Sequence, residues 1–492
     1  MVAKSIMMLA AFGTRTSSFC VPSLARTGQW NALRRIAVDS ASRTRVGRLL
    51  AVDSSSSSVE ARPIVADETV IETPSVKSPF LQTLVERGFY HQCTNISGLD
   101  EKLGTGEIVK AYLGFDATAN SLHVGSLLQI MILRHLQKAG HQPIVLVGGG
   151  TTKIGDPSGK DETRQILDEA AIQGNIDGLS SVFSKFLTFG DGPTDAKLVN
   201  NDEWLQQLSY LDFLREYGPH FTINRMMTYD SVRLRLEREQ PLTFLEFNYM
   251  LLQAYDFTEL YRRYGCVLQM GGSDQWGNMV NGVDLGRRVE KAELFALTAP
   301  LITTSEGKKM GKSASGAVWL NSDMLSSYDY WQFWRNTDDA DVIRFLKLFT
   351  ELQMDEINNL EKLTGAGINE AKIVLADEAT KLLHGEECLK EIHQTIKQLF
   401  VGGGGGSNAA LPRAKMESAE AEAGIAVVDL FIRLELAKTK SEVRRLIKGG
   451  GAKLNGEKIV DESFAVDLST FDGGQEIKLS SGKKKHGIIF ME

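Results

Sequence analysis

The chain has 492 residues, 42% of them hydrophobic and 24% charged, an ordinary balance for a globular protein that allows two to four domains and a sizeable core. No apolar run reaches the roughly 20 residues of a membrane-spanning helix, and four scattered cysteines (Cys20, Cys93, Cys266, Cys388) offer neither CxxC spacing for zinc nor a disulfide framework, which suits a reducing compartment. The net charge of −7 hides eight Lys/Arg against one acid in residues 1–50, so a polyanion-binding surface in the more acidic remainder must gather its positive charge locally.

Taken in order, residues 1–72 do not read as folded. They are Arg- and Ser-rich, carry a run of serines at 54–58, and have the composition of an organellar transit peptide. The apolar piece 6–12 is too short to span a membrane, and the Arg-rich polar sequence that follows it argues against a secretory signal. A plain disordered tail is the competing account. Composition does not separate mitochondrion from plastid.

Phe80, Leu81, Leu84 and Val85 predict an amphipathic helix ending near Gly88. Residues 108–113 predict a short buried strand, and Leu128, Met131, Ile132 and Leu136 recur at helical spacing. The small-residue turn between them holds Thr118, His123, Gly125 and Ser126. A strand–turn–helix of this kind presents ligands at the carboxyl end of a parallel strand, with helix N–H groups aimed at an anion. Taken alone, His123 is more simply a helix cap.

Residues 143–147 predict a second strand, entering the run Gly148-Gly149-Gly150-Thr151-Thr152. The stretch 154–160 that follows mimics a phosphate-binding P-loop but fails its spacing, since Ile154 stands where glycine is needed and Asp161 follows Lys160. Residues 166–188 predict a helix, 196–199 a strand, and 200–244 a helix-rich insertion. In the helix predicted over 247–260, Tyr249, Gln253 and Asp256 fall on one face. Such a stripe is ordinarily a buried helix with incidental polar groups. A strand over 267–270 then opens into Gly271-Gly272-Ser273-Asp274-Gln275-Trp276-Gly277-Asn278, whose Asp and Gln are placed to recognise a sugar.

Far downstream lies Lys308-Lys309-Met310-Gly311-Lys312-Ser313, by itself a solvated loop. Helical patterns follow over 328–349 and 354–400. The Gly/Ala/Ser/Glu-rich stretch 401–424, with five glycines at 402–406, predicts a flexible linker and hinge. From residue 425 a small unit reads as two short helices, a Gly449-Gly450-Gly451 turn and short strands. Its cluster Lys438, Lys440, Arg444, Arg445, Lys448, Lys453 and Lys458, against Glu442 and Glu457 alone, straddles a helix and a β-turn. A solvated helix face would not require that, whereas an RNA-binding face would.

The His123 turn and the lysine loop, in this order, resemble the HIGH and KMSKS signatures of class I aminoacyl-tRNA synthetases. Five stretches carry a narrower likeness: Tyr112-Leu-Gly-Phe-Asp-Ala-Thr, Gly155-Asp-Pro-Ser-Gly-Lys, Leu252-Gln-Ala-Tyr-Asp, Gly271-Gly-Ser-Asp-Gln-Trp-Gly-Asn and Lys309-Met-Gly-Lys-Ser. By these the whole of 78–492 resembles the bacterial-type (organellar) tyrosyl-tRNA synthetases. The implied fold class is α/β. A Rossmann-like parallel-sheet catalytic domain occupies 73–300, with its helical insertion at about 200–245. An α-helical anticodon-region domain with the lysine loop occupies 301–400. After the linker at 401–424 comes a small α+β, αL-type RNA-binding module at 425–492.

The resemblance further implies a tyrosine–tRNA ligase that forms tyrosyl-adenylate from L-tyrosine and ATP and then charges tRNA(Tyr). ATP is a substrate carrying Mg2+ on its phosphates, with no protein-ligated metal. The implied assembly is a homodimer with no membrane partner. Tyr112 and Asp256 would hold the phenolic hydroxyl. Asp156, Tyr249 and Gln253 would hold the α-ammonium with Thr151 nearby, and Asp116 and Gln275 would line the carboxylate and adenylate side. Gly114, Gly125, Ser126, Gly272 and Asp274 would meet nucleotide and ribose, with Thr118 and His123 at the γ-phosphate. Lys160, Arg164, Lys309, Lys312 and Ser313 would close over pyrophosphate. Ser126 and Gly311 depart from the consensus His and Ser, the first shortening reach and the second predicting a more flexible loop. A tryptophanyl-tRNA synthetase has no use for Tyr112 and Asp256, because an indole carries no hydroxyl. An RNA-binding or splicing protein on the same scaffold has no use for the phosphate-facing residues.

Overall fold

The computed structural model describes residues 74–156, 167–307, 310–313, 316–401, 411–471, 475–482 and 485–491. The expected transit segment, Lys160, Arg164, Lys309 and the glycine hinge at 402–406 lie outside the described residues.

Helix α1 (Pro79–Arg87) carries Pro79 in its first turn and ends at Gly88, whose φ of 85° places it in the left-handed region that favours glycine. After β1 (Gln92–Cys93) and α2 (Ile96–Gly104) comes the central strand β2 (Lys110–Asp116), then α3 (Val124–Lys138), β3 (Gln142–Gly148), α4 (Gly149–Thr152), α5 (Glu169–Phe186) and β4 (Lys197–Asn200). Four short helices follow, α6 (Asp202–Leu205), α7 (Tyr210–Glu216), α8 (Ile223–Met226) and α9 (Asp230–Glu237). These lead into the long α10 (Phe244–Tyr264), then β5 (Leu268–Gly272), α11 (Trp276–Val289) and β6 (Phe295–Ala299). The expected helix-rich insertion is therefore present between β4 and α10.

The sheet order is β1-β6-β5-β2-β3-β4, parallel throughout except for β1 against β6. β2 has β3 on one side and β5 on the other, so the chain reverses its direction of winding there, and the crevice beyond β2 and β5 is where such a sheet binds ligands. The period-2 alternation of a strand divides the core. Ala111, Leu113, Phe115, Val145 and Val147 face one apolar layer with α3 and α5, while Tyr112, Ile144 and Leu146 face the other with α10 and α11.

The helical pattern over 328–349 proves to be two helices, and that over 354–400 three helical segments. α12 (Ser327–Arg335) and α13 (Val342–Phe349) are parted by a turn in which Asp341 accepts the Ser305 N–H, and α14 (Met354–Glu361) precedes α15 (Ile368–Val401). Within α15, Gly385 (φ 85°, ψ 167°) breaks the helix. His393 Nε2 lies 3.0 Å from Asp377 Oδ2. Sixteen residues of straight helix would separate them by about 24 Å, so the chain doubles back at Gly385. This helical region docks on the sheet through Arg87, which donates to the Lys347 and Thr350 carbonyls at 3.0 Å each, and through Glu351, held by Arg134 at 2.7 Å and Lys138 at 2.9 Å.

The C-terminal unit begins earlier than its composition implied. After the hairpin β7 (Lys312–Ser313) and β8 (Gly316–Ala317), the next strand is β9 (Arg413–Met416), followed by α16 (Ser418–Ala423). These fall inside the stretch 401–424 expected to be linker. β9 pairs in parallel with β15 (Lys485–Met491), so long-range pairing overrides a local composition poor in strand formers. The remaining elements are β10 (Ile425–Ala426), α17 (Val427–Arg433), α18 (Lys440–Lys448), β11 (Ala452–Leu454), β12 (Glu457–Lys458), β13 (Ala465–Val466) and β14 (Glu476–Ser481). Their sheet runs β12-β11-β14-β15-β9. Leu411 and Ile488 are buried in the same apolar cluster as Tyr328, Leu389 and Ile392, so the unit is docked on the helical region.

Candidate active site

A cavity of about 540 Å³ opens at the carboxyl ends of β2 and β5. It is lined by Tyr112, Gly114, Asp116, Thr118, His123, Ser126, Thr151, Asp156, Tyr249, Gln253, Asp256, Gly272, Asp274 and Gln275. Fourteen residues proposed from the sequence thus meet in one place.

Local structure explains the meeting. α10 starts at a capping box, with Thr243 Oγ1 accepting the Glu246 N–H at 3.1 Å and Glu246 Oε2 accepting the Thr243 N–H at 2.9 Å. Gly265, at φ 68°, ends it. Fixed at both ends, the helix presents Tyr249, Gln253 and Asp256 to the cavity one turn apart. Their polarity is therefore not incidental to a buried helix.

At the floor, Tyr112 and Asp256 are 1% and 2% exposed. Asp256 Oδ1 accepts from Trp204 Nε1 at 2.8 Å and Oδ2 from Asn201 Nδ2 at 2.9 Å. Burial raises its carboxyl to about 7, the two donors opposing that rise and the charges of Asp116 and Glu259 adding to it. The Tyr112 hydroxyl is buried with no hydrogen-bond partner among the described residues, and burial together with the Asp256 charge raises its pKa. A buried hydroxyl without a partner is unfavourable by roughly 1–3 kcal/mol.

Two hydrogen-bonded chains stand along the cavity, the first of them rising from the floor. In the first, Asn201 Nδ2 also donates to Thr151 Oγ1 at 3.0 Å, Thr151 Oγ1 to Asp116 Oδ1 at 3.0 Å, and Tyr249 Oη to Asp116 at 3.2 Å. In the second, Gln275 Nε2 donates to Asp156 Oδ2 at 2.9 Å. Asn278 Nδ2 donates to Gln253 Oε1 at 3.0 Å and to Gln275 Oε1 at 3.1 Å. The glycine run closes the first chain from behind, because a Cβ on Gly148 would come within 2.4 Å of both Asp116 Oδ1 and Thr151 Oγ1. Those glycines serve close packing of protein on protein.

At the other end, His123 is a helix cap and a cavity residue at once. Its Nδ1 accepts the Gly125 N–H at 3.0 Å, which places the proton of the neutral ring on Nε2 as a donor. Of the first signature, His123 and Ser126 line the cavity, whereas Val124 and Gly125 do not. The missing Cβ of Gly125 makes room for the His123 ring at 2.7 Å and the Met310 carbonyl at 2.9 Å, so what approaches its backbone is protein. The lysine loop lies against this turn. Val124 N–H donates to the Val318 carbonyl and Leu320 N–H to that of Leu122, both at 2.9 Å. Met310, Gly311 and the backbone of Lys312 and Ser313 in β7 sit beside that ladder.

Six residues at or beside the cavity carried no sequence signal strong enough to single them out: Asn201, Trp204, Gln129, Gln269, Asn278 and Trp319. Asn201 and Trp204 open the helical insertion and reach the floor only because β4 ends beside β3. Asn278 stood in a quoted motif, where spacing from Gln275 placed it one helical turn on.

The basic cluster gathers on one unit. Val443 and Ile447 turn inward from α18, leaving Lys440, Arg444, Arg445 and Lys448 exposed, with Lys438 just before the helix. Lys453 and Lys458 are direct cross-strand partners, and Lys458 Nζ reaches the Gly450 turn at the end of α18. Like charges directly opposite each other are unfavourable, so that placement is not explained by stability. Lys440 is partly neutralised by Asp429 at 2.5 Å.

A family model described as tRNA synthetases class I (W and Y) matches residues 105–401, and one described as S4 domain matches 428–471. A tyrosine–tRNA ligase of Caulobacter vibrioides is 59% identical over 415 residues, 84% of this chain and 98% of that protein. One from Xanthobacter autotrophicus is 58% identical over 417 residues, 85% of this chain and 99% of that protein. The crystal structure of a C-terminally truncated Aspergillus nidulans mitochondrial tyrosyl-tRNA synthetase is 30% identical with a TM-score of 0.59, covering 66% of this chain and 95% of that one. The cavity at the strand ends, the His123 turn joined to the lysine loop and this extent of identity agree, and the chain belongs to the class I tRNA synthetases, in the tyrosine–tRNA ligase family.

Proposed function

We propose that the cavity activates L-tyrosine with ATP and that the C-terminal unit anchors the tRNA which receives it. The observation that carries the tyrosine assignment is the pair of buried groups at the floor, the unpartnered Tyr112 hydroxyl and the Asp256 carboxylate. Together they complement a phenolic hydroxyl, which can accept from one and donate to the other.

In this proposal Asp156, Tyr249 and Gln253 hold the α-ammonium beside Thr151. Asp116 and Gln275 stand on the carboxylate and adenylate side, and Gly114, Ser126, Gly272 and Asp274 meet nucleotide and ribose, while Gly125, packed against protein, makes room for the His123 ring instead. Thr118, the Nε2–H of His123 and the N-terminus of α3 face the γ-phosphate. These are donors rather than anionic ligands, so they suit phosphate oxygens directly, and ATP brings its own Mg2+. Lys160, Arg164, Lys309, Lys312 and Ser313 supply charge and donors to the departing pyrophosphate.

The chemistry needs no covalent bond to the enzyme. A tyrosine carboxylate oxygen bonds to the α-phosphorus as the bond to the α–β bridging oxygen breaks, and pyrophosphate leaves. A hydroxyl of the terminal tRNA ribose then attacks the activated carbonyl, and AMP leaves. Such steps are served by positioning and by donors that strengthen as charge moves to the leaving group. Tyrosine-dependent exchange of labelled pyrophosphate into ATP tests the assignment. Wild type should favour tyrosine over phenylalanine by ~10⁴–10⁵, and Tyr112→Phe or Asp256→Asn should erode that ratio more than it alters the KM for ATP. Unchanged ratios would sink the floor assignment.

The exposed basic face of α18 and β11–β12, within the S4 match, is the tRNA contact in this proposal. The Arg- and Ser-rich composition of 1–72, with kinship to bacterial enzymes and a mitochondrial structure, supports work in organellar translation, in mitochondrion or plastid. A homodimer is supported by large apolar side chains left exposed on α7, α8 and the start of α10: Tyr210, Leu211, Ile223 and Phe244, at 58, 75, 61 and 69%. Sedimentation velocity should show a dimer for wild type and a monomer for Phe244→Asp. A monomeric wild type would overturn that assembly.

A further inference from the structure

Asn278 touches none of the cavity, yet it stands behind two of the residues that do. It lies in the first turn of α11 and is 3% exposed. An asparagine amide nitrogen carries two hydrogens, and here each has a glutamine carbonyl to receive it, Gln253 Oε1 at 3.0 Å and Gln275 Oε1 at 3.1 Å. We infer that Asn278 is a positioning residue that fixes the orientation of both glutamine amides and thereby builds the ammonium-binding end of the cavity.

The consequence follows from polarity. A glutamine amide is nearly symmetric in shape, and only its partners decide which end is oxygen. With Gln275 Oε1 held from behind by Asn278, its NH₂ turns forward and reaches Asp156 Oδ2 at 2.9 Å. That bond orients the Asp156 carboxylate, which accepts it. With Gln253 Oε1 held by the same nitrogen, one further lone pair on that oxygen remains to accept from an ammonium. One buried donor thus sets two acceptors, Asp156 and Gln253, to converge on a cation. Shape alone would not require it, since an aspartate in the same place has the same outline but turns acceptor against acceptor.

This inference rests on the assignment of Asp156 and Gln253 to the tyrosine ammonium, and the experiment must keep the two apart. Asn278→Ala, Asn278→Ser and Asn278→Asp would be made in the full chain. Their tyrosine KM, ATP KM and kcat would be read by pyrophosphate exchange, with the inhibition constant of 3-(4-hydroxyphenyl)propionate, which has the phenol and carboxylate but no ammonium. The expected result is a tyrosine KM raised roughly 10- to 100-fold for Ala, as for loss of a buried hydrogen bond. Ser, which keeps one donor, should lose less, and Asp should lose most despite its matching shape. The ATP KM should stay within about twofold of wild type, and the inhibition constant of the propionate should rise far less than the tyrosine KM, since of the two glutamines only Gln275 stands on the carboxylate side. Equal weakening of tyrosine and propionate, or an Asp variant milder than Ala, would overturn the positioning role, because either is what a packing role gives. Should wild type itself bind the propionate as well as tyrosine, the ammonium assignment fails independently of Asn278. If the Asp variant does not fold, the Ser variant and the Ala ratio still decide.

Discussion

Two neutral donors reach Asp256, yet burial raises its carboxyl to about 7, because a pair of hydrogen bonds does not replace full hydration. The ionised form accepts the phenolic proton of tyrosine best, and phenylalanine has none to give. Preference for tyrosine over phenylalanine should therefore grow as pH rises through about 7, and the profile should flatten in Asp256→Asn, as measured by pyrophosphate exchange across pH 5.5–8.5 (a range of roughly three units about that pKa). Stability has the opposite sign. Below the ordinary value of 3.8 the group is protonated folded or unfolded, and its contribution is intact. As pH rises toward about 7 the unfolded carboxyl ionises first, so stability is lost. Asp256→Asn should accordingly gain Tm over wild type at pH 8 and not at pH 4. A constant Tm difference would show that Asp256 ionises normally.

At the scale of elements, the lysine loop and the start of α3 act as a unit. Gly311 departs from the consensus serine, and flexibility was the expected consequence. Its φ is 101°, and a Cβ there would come within 2.9 Å of His123 Nδ1 and 3.0 Å of the Gly125 nitrogen. Glycine at this place permits a close fit. Gly311→Ala should push the loop from the His123 turn and slow adenylate formation roughly 10- to 100-fold, the scale of a displacement near 1 Å at a reacting centre. Lys309→Ala and Lys312→Ala should slow it ~10²-fold or more by removing charge that acts in the transition state. In all three, single-turnover kinetics should show tyrosine affinity nearly unchanged. A matching loss of tyrosine binding would mean that the loop supports the floor of the site.

At the scale of the molecule, the C-terminal unit is less separate than a glycine-rich connection implied. Leu411 and Ile488 are buried in the cluster of the helical region, and burial removes Asp329 of α12 from water beside Lys485 and Glu435 of that unit. Full burial of each aliphatic side chain is worth roughly 1.5–3 kcal/mol. Truncation after residue 401 should lower Tm by several degrees while leaving tyrosyl-adenylate formation near wild type, since among the described residues none that lines the cavity lies beyond Trp319. Transfer to tRNA should fall steeply. In the full chain that transfer should weaken with salt in proportion to the phosphates contacted, and Arg444→Ala with Arg445→Ala should flatten the slope. Loss of both activities together after truncation would place the unit within the catalytic fold.

The sequence by itself determined the strands and helices that bear the site. Alternation and 3.6-residue spacing are local signals, and β2, α3, α10 and β5 were legible to within three or four residues at each end. It also singled out the residues proposed to carry the reaction, since Tyr112, Asp256, His123 and the lysines stand in long, unusual stretches. Tertiary structure decided what Tyr112, Asp256 and His123 touch. Asn201, Trp204 and Asn278 carry no signal of their own and become donors only when β4 meets β3 and α11 meets α10. The break at Gly385, the two helices in place of one over 328–349 and the capture of 413–416 by β15 were likewise beyond reach. Each is settled by contacts between residues far apart in the chain, and these override the local preferences that a sequence expresses.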